Sequence, residues 1–253
     1  MLQRISPDGP TPAAVAALAP HGVLRAAINL SNFLLVSGRA PDGTPTGVSP
    51  DMACELARRL GVGVDLRSYD SPGELADDAV ADAWDVGNIG AEPARAETIA
   101  FTAPYCEIEC TYLVAADSPI TSVDDVDRPG VRIASAPRAA YDLWLERNLH
   151  HAELVRSATL DGSFELFVEQ RLDALAGLRP ALLTWATRLP GSRVLEGRFS
   201  SVRQAMGTPR RRDQAGFAYL CEFVEEMKAS GFVADRVAAH RVVGLSVAPP
   251  ATR

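Results

Sequence analysis

Trp84-Asp85-Val86-Gly87-Asn88-Ile89-Gly90-Ala91-Glu92-Pro93-Ala94-Arg95-Ala96-Glu97-Thr98-Ile99-Ala100-Phe101-Thr102-Ala103-Pro104-Tyr105 is the stretch that decides how this chain folds. Trp84 to Val86 read as a short strand that enters a small-residue loop, Gly87 to Gly90. Upstream of it, Val23 to Ile28 read as a strand that breaks at Asn29 to Asn32, and Gly38 to Pro50 are rich in turn formers. A helix is expected from about Asp51 to Leu60, with Met52, Leu56 and Leu60 on one face and Gly61 as its C-cap. A strand over Gly63 to Tyr69 and a helix from Pro72 to Ala83 follow. The order is β-α-β-α-β, which implies a parallel sheet with right-handed crossovers. After Tyr105 the order breaks: Ile108 to Val114 read as a strand with no helix of its own length before it.

A second β/α set begins after Asp117. Its strands are Val131 to Ser135, Leu154-Val155, Leu172 to Gly177 and Arg193 to Leu195. Its helices run from about Arg138 to Leu149, Ser163 to Gln170 and Pro180 to Thr187. Two helical stretches close the chain, Arg210 to Ala229 and Val233 to His240, too short a tail for a third domain. These helices return most simply to the first set. The chain then has two lobes: 1–110 plus 205–253, and 111–204. The crossings lie near Glu109 to Val114 and Ser200 to Gly207. The α/β class places ligands at the carboxyl ends of strands, and a cleft between two lobes is the expected site.

Composition narrows the function. The 253 residues carry 25 Lys+Arg against 32 Asp+Glu, a net of -7, so no basic face is available to displace the counterions of a nucleic acid. A local cluster of donors can still hold a small anion. A hydrophobic share of 47% excludes the disordered classes. No run approaches the roughly 18 apolar residues of a spanning helix, so no membrane insertion is expected. Arg4 is followed by Asp8, with prolines at Pro7, Pro10 and Pro12, rather than by the apolar core of a secretion signal. The expectation is a cytoplasmic protein as written, or a periplasmic one if a leader has been removed. Ala13 to Ala19 read as a packing helix.

Cys54, Cys106, Cys110 and Cys221 are expected as four buried free thiols. Alternation over Cys106 to Cys110 separates that pair by about 13 Å, too far to bridge. His21, His150, His151 and His240 show no ligand spacing with them, so neither a metal nor a cofactor is called for. The basic run Pro209-Arg210-Arg211-Arg212-Asp213 is read as solvated. No Ser-His-Asp set, Walker loop, GxGxxG or HExxH occurs, and no catalytic residue is assigned.

The opening stretch resembles the polar-amino-acid solute-binding proteins of ABC transporters, family 3, in which an Arg precedes an I-x-F-T-x-P-Y run. Gly47 to Met52, Ser122 to Val126, Gly130 to Ala134, Leu172 to Ala174 and Met227 to Gly231 extend the likeness in colinear order. The resemblance implies a periplasmic-binding-protein-like (type II) fold, a monomer that closes by hinge motion on a small anionic or zwitterionic ligand, and an ABC permease as partner. The family's carboxylate-binding Arg falls on Arg95, whose planar fork of donors suits a carboxylate.

In the same family a hydroxyl and backbone amides complete the carboxylate clamp after the strand Val131 to Ser135. Here that turn offers Ser135 and Arg138, and Ser135 as a plain helix cap is the alternative. Asn32, Asn88 and Gly90 sit in loops at strand ends, as ligand contacts or, for the two Asn, as turn formers. Glu109 is open to three roles: binding an amine, acting as acid or base, or pairing with a hinge Arg. Gln204 lies on the return crossing as a ligand contact or a backbone hinge bond, and Phe33 is read as core, with stacking on a ligand as the alternative.

This sequence also departs from the family. Asn29 and Leu178 stand where the family often has Asp for the ligand's ammonium, which favours an organic acid or amide-bearing anion. Asp173 is read as a structural cap. An enzyme on the same scaffold, resembling cyclohexadienyl dehydratase with Glu109 as its acid, and an intracellular ligand sensor are the alternatives.

Overall fold

The computed structural model describes residues 9–252, and its first helix is capped by Thr11, which accepts the Ala14 N–H on its hydroxyl at 3.2 Å. Pro12 then starts α1 (Pro12–Leu18), a first-turn position where its missing N–H costs nothing. The leader reading over residues 1–8 lies outside the described residues. The chain divides into two units, one up to Glu107 and again from Arg203, the other Ile108–Val202.

The first unit continues with β1 (Val23–Asn29), the hairpin β2 (Gly38–Arg39) and β3 (Pro45–Thr46), α2 (Val48–Leu60) and β4 (Gly63–Tyr69). Then come α3 (Pro72–Asp77), β5 (Val86–Gly90), β6 (Ile99–Phe101) and β7 (Cys106–Val114), whose later residues belong to the second unit. The expected helix over Pro72 to Ala83 stops at Asp77, and residues 78–83 form turns. Helix α2 starts a turn earlier than Asp51 because Pro50 falls in its first turn, where proline is tolerated. Gly47 makes that start possible. Its φ is 146°, and a Cβ there would meet the Leu35 carbonyl oxygen at 2.3 Å.

Strand β1 pairs in parallel with β4 and β5. One layer sets Met52, Leu56 and Leu60 of α2 against Leu24, Val86 and Met206, together with residues 220–227 of the C-terminal helix. A second cluster gathers Leu75, Trp84, Ile89 and Ile99. These are the two coats expected of a parallel sheet.

The second unit comprises β8 (Arg132–Ser135), α4 (Ala140–Asn148), β9 (Glu153–Arg156), α5 (Leu160–Glu169), β10 (Ala174–Leu178), α6 (Arg179–Ala186) and β11 (Arg193–Val194). Strand β8 is parallel to β9 and β10, while β10 runs antiparallel to β7, with Leu178 opposite Cys110. Asp173 accepts the Arg132 N–H at 2.8 Å and so caps the start of β8. Strand β12 (Ser200–Pro209) carries the chain back, and α7 (Gln214–Ala229), α8 (Phe232–Ala239) and β13 (Ser246–Val247) complete the first unit. Asp213 N-caps α7, so that helix begins after the basic run and not within it.

Of the basic run, Arg210 and Arg211 are exposed as expected, but Arg212 is drawn in. Arg212 donates to Asp85 at 2.7 Å, and Arg25 grips the same carboxylate through Nη2 at 2.6 Å and Nε at 3.0 Å. Asp85 is fully buried, so its charge is tolerable only because two guanidinium groups and the Arg25 N–H surround it. Replacing Asp85 with Ala leaves two arginines facing an empty acceptor. A loss of about 3–5 kcal/mol in urea unfolding is expected. A smaller pH effect should come from Glu55, whose carboxyl the Arg58 hydrogen bond, then Arg59, hold down at about 2 against an ordinary 4.5. Its contribution is whole above about pH 4.5 and is lost as pH falls through about 2. Thermal unfolding of Glu55→Gln should therefore show a shallower decline across that window than the parent chain.

Candidate functional site

All five residues of β5 are buried, so Gly87 to Gly90 are strand interior and not the loop that the small residues suggested. Small size here serves packing: a Cβ on Gly87 would meet the Leu75 and Trp84 side chains at 3.2 Å. Asn88 sits between Ile28 of β1 and Met206 of β12, 1% exposed, so it is not a turn former. Both its amide Oδ1 and Nδ2 are buried without a hydrogen-bond partner. An amide left so costs about 1–3 kcal/mol, which in a native protein calls for an explanation such as a ligand.

Gly90 ends the strand, and its carbonyl accepts from Arg95 Nη1 at 2.8 Å. Arg95 lies on a 3-10 turn, Arg95–Glu97, and is 6% exposed: the arginine is drawn in under the strand end rather than left in solvent. Gln204 faces Gly90 across the antiparallel β5–β12 ladder and is buried, while its carbonyl accepts the Tyr105 N–H at 2.8 Å. Strand register thus brings Asn88, Gly90, Arg95 and Gln204 to one place in the first unit. Asn32 follows β1, which is parallel to β5. It is buried, and its Oδ1 accepts the Leu34 N–H at 3.2 Å, an Asx turn. Its neighbour Phe33, assigned to the core from sequence, is 46% exposed, because that turn points it outward.

The second unit has a different set. Ser135 ends β8 with its Oγ buried and unpartnered, so it does not cap α4, whose N-cap is Ala139. Nearby in sequence, the Tyr141 hydroxyl is also buried without a partner, and burial pushes its pKa upward. Sequence reasoning missed Tyr141. An aromatic in the first turn of a helix reads as core, and nothing in its neighbours marks the hydroxyl.

Arg138 precedes the helix instead of starting it, with φ 62° in the left-handed region. Its N–H donates to Asp142 at 3.1 Å, and the same carboxylate accepts Arg156 Nε at 2.9 and 3.2 Å. An anion of the chain's own therefore occupies part of the expected clamp. Glu109 accepts Arg179 Nε at 2.8 Å and Arg198 Nη1 at 3.2 Å, and Arg179 also donates to the carbonyls of Leu195 and Gly197. Of its three expected roles, the ion pair is the one formed.

The cysteines do not form a site. Cys106 and Cys110 are buried, but Cys54 is exposed and Cys221 half-buried, against the expectation of four buried thiols. Cys54 belongs to the outward face of α2, and burial pushes the Cys106 thiol to about 12. Among the described residues no group of three or more His, Cys, Asp or Glu could hold a metal ion, and no helix is long and apolar enough to cross a membrane.

Solved structures share this architecture. A mutant of ArgBP from T. maritima matches at 19% identity with a TM-score of 0.71, over 90% of this chain and 99% of that one. An ancestral amino acid-binding protein, described as a precursor of cyclohexadienyl dehydratase, gives 19% and 0.72 over 91% and 100%. An amino acid ABC transporter substrate-binding protein from Streptococcus pneumoniae bound to L-arginine gives 20% and 0.70 over 93% and 100%. No curated protein matches the sequence. The fold is thus the α/β, two-lobed periplasmic-binding-protein-like type II fold. The model of the bacterial extracellular solute-binding proteins, family 3, matches residues 32–239, and this chain belongs to that family. It is a solute-binding protein.

The unpartnered amide gives a direct test of site against scaffold. Asn88→Val, an apolar strand former only slightly larger, removes two unsatisfied buried polar atoms and should raise stability by about 1–2 kcal/mol in urea unfolding. A loss of stability would show that the amide serves the fold instead.

Proposed function

We propose that the chain captures a small polar solute bearing a carboxylate and hands it to an ABC permease. Arg95 is the anchor, and the residues that carry the chain from one unit to the other, 107–108 and 202–203, serve as the hinge. The observation that supports this most is the placing of Arg95, a buried guanidinium fixed on the Gly90 carbonyl at the carboxyl end of β5. Parallel α/β sheets bind ligands at that end of their strands. A guanidinium held by one nitrogen on a carbonyl keeps a defined orientation, and its fork suits a carboxylate. Asn88 on the same strand adds one donor group and one acceptor. Several proteins of this fold are described with L-arginine or lysine bound, and both ligands carry a carboxylate.

Catalysis on this fold is the second reading, because one structural neighbour is described as a precursor of cyclohexadienyl dehydratase. The acid it would need is Glu109, which two arginines already hold as an ion-pair partner. Capture without chemistry therefore has the better support. Turnover of prephenate or arogenate by the purified chain would overturn it.

Arg95→Ala should abolish the rise in melting temperature that carboxylate ligands give the parent chain. Isothermal titration should show at least a hundredfold weaker binding, as expected for a lost charge-assisted pair. A variant that keeps the full shift removes Arg95 from the site.

A further inference from the structure

We infer that the solute is a carboxylic acid without an amino group, of the 2-oxo, 2-hydroxy or dicarboxylic class, rather than an amino acid. This rests on the carboxylate-binding role proposed above and adds to it the chemistry of the rest of the guest. An ammonium group brought out of water needs a negative partner, because neutral dipoles alone do not replace its hydration. The buried acids cannot serve. Among the described residues two carboxylates are buried, Asp85 and Asp142, and arginines engage both. Asp85 is held by Arg25 and Arg212, and Asp142 by Arg156 together with the Arg138 N–H. Glu109, half exposed, is bound twice by Arg179 and Arg198.

Beside Arg95, what β5 itself offers is uncharged: Asn88 has a carbonyl and an NH2 group buried and unpartnered. An amide can both donate and accept, which matches a keto oxygen, an alcohol or a second carboxylate. It does not bring the negative charge that a buried ammonium requires. Asp70, just past the end of β4, is exposed and so is not a desolvated partner, and Glu92, half-buried just past the end of β5, is already engaged.

The experiment uses the full chain in matched pairs: 2-oxoglutarate against glutamate, malate against aspartate, with arginine and lysine alongside. Melting temperature and isothermal titration are the readouts. The oxo or hydroxy acid of a pair should raise the melting temperature and bind at least tenfold more tightly than its amino partner. That preference should persist in Asp70→Asn. An amino acid that binds as tightly as its partner without the amino group overturns this inference and leaves the carboxylate reading standing. The same holds if the preference depends on Asp70. A chain that answers to none of these acids, or whose response survives Arg95→Ala, overturns the carboxylate reading itself.

Discussion

Strand β5 is held by arginine at both ends, and the first unit is organised around that fact. At its start, the buried Asp85 carboxylate is shared by Arg25 of β1 and Arg212 of the segment after β12. At its far end, Arg95 closes on the Gly90 carbonyl. The first contact neutralises a charge that could not otherwise be buried. The second fixes a cationic side chain at the edge where this class of sheet meets its ligands. Between the two ends, register with β1 and β12 sets Asn88 beside Ile28 and Met206, so its amide is walled by apolar neighbours.

Electrostatics divides the two roles cleanly. The acids that are buried, or that lie near candidate residues of the second unit, serve the scaffold. Asp85 ties strands, Asp142 ties the turn before α4 to β9, and Glu109 ties β7 to α6 and the segment around Arg198. Of the candidate residues, the two whose buried polar atoms have no partner are neutral, Asn88 and Ser135. Under the proposed capture of a carboxylate, such pairing leaves amides and hydroxyls, rather than acids, to meet the guest.

Much of this was legible along the chain. The β-α-β-α-β order, the break after Tyr105, the Gly61 cap and the capping role of Asp173 all follow from periodicity and turn chemistry, which act between near neighbours. The family likeness in the opening stretch picked out Arg95. Where the reading went astray, the cause was a residue's neighbours in space. Gly87 to Gly90 suggested a loop because small residues do so in general, but here Gly87 makes room for Leu75 and Trp84. Ser135 suggested a cap because hydroxyls cap helices, yet the helix starts five residues beyond it, after Arg138 turns left-handed.

The sequence by itself determined the α/β class and the order of the elements, since hydrophobic period, glycine and proline act locally. Only the tertiary structure decided which charges are paired. Asp85 meets arginines 60 and 127 residues away, and Glu109 meets one 70 residues away. With 25 basic and 32 acidic side chains available, no local rule selects those partners. The selection is made by strand register, which brings distant carboxylates and guanidinium groups together where water is excluded and a lone charge would be too costly to keep.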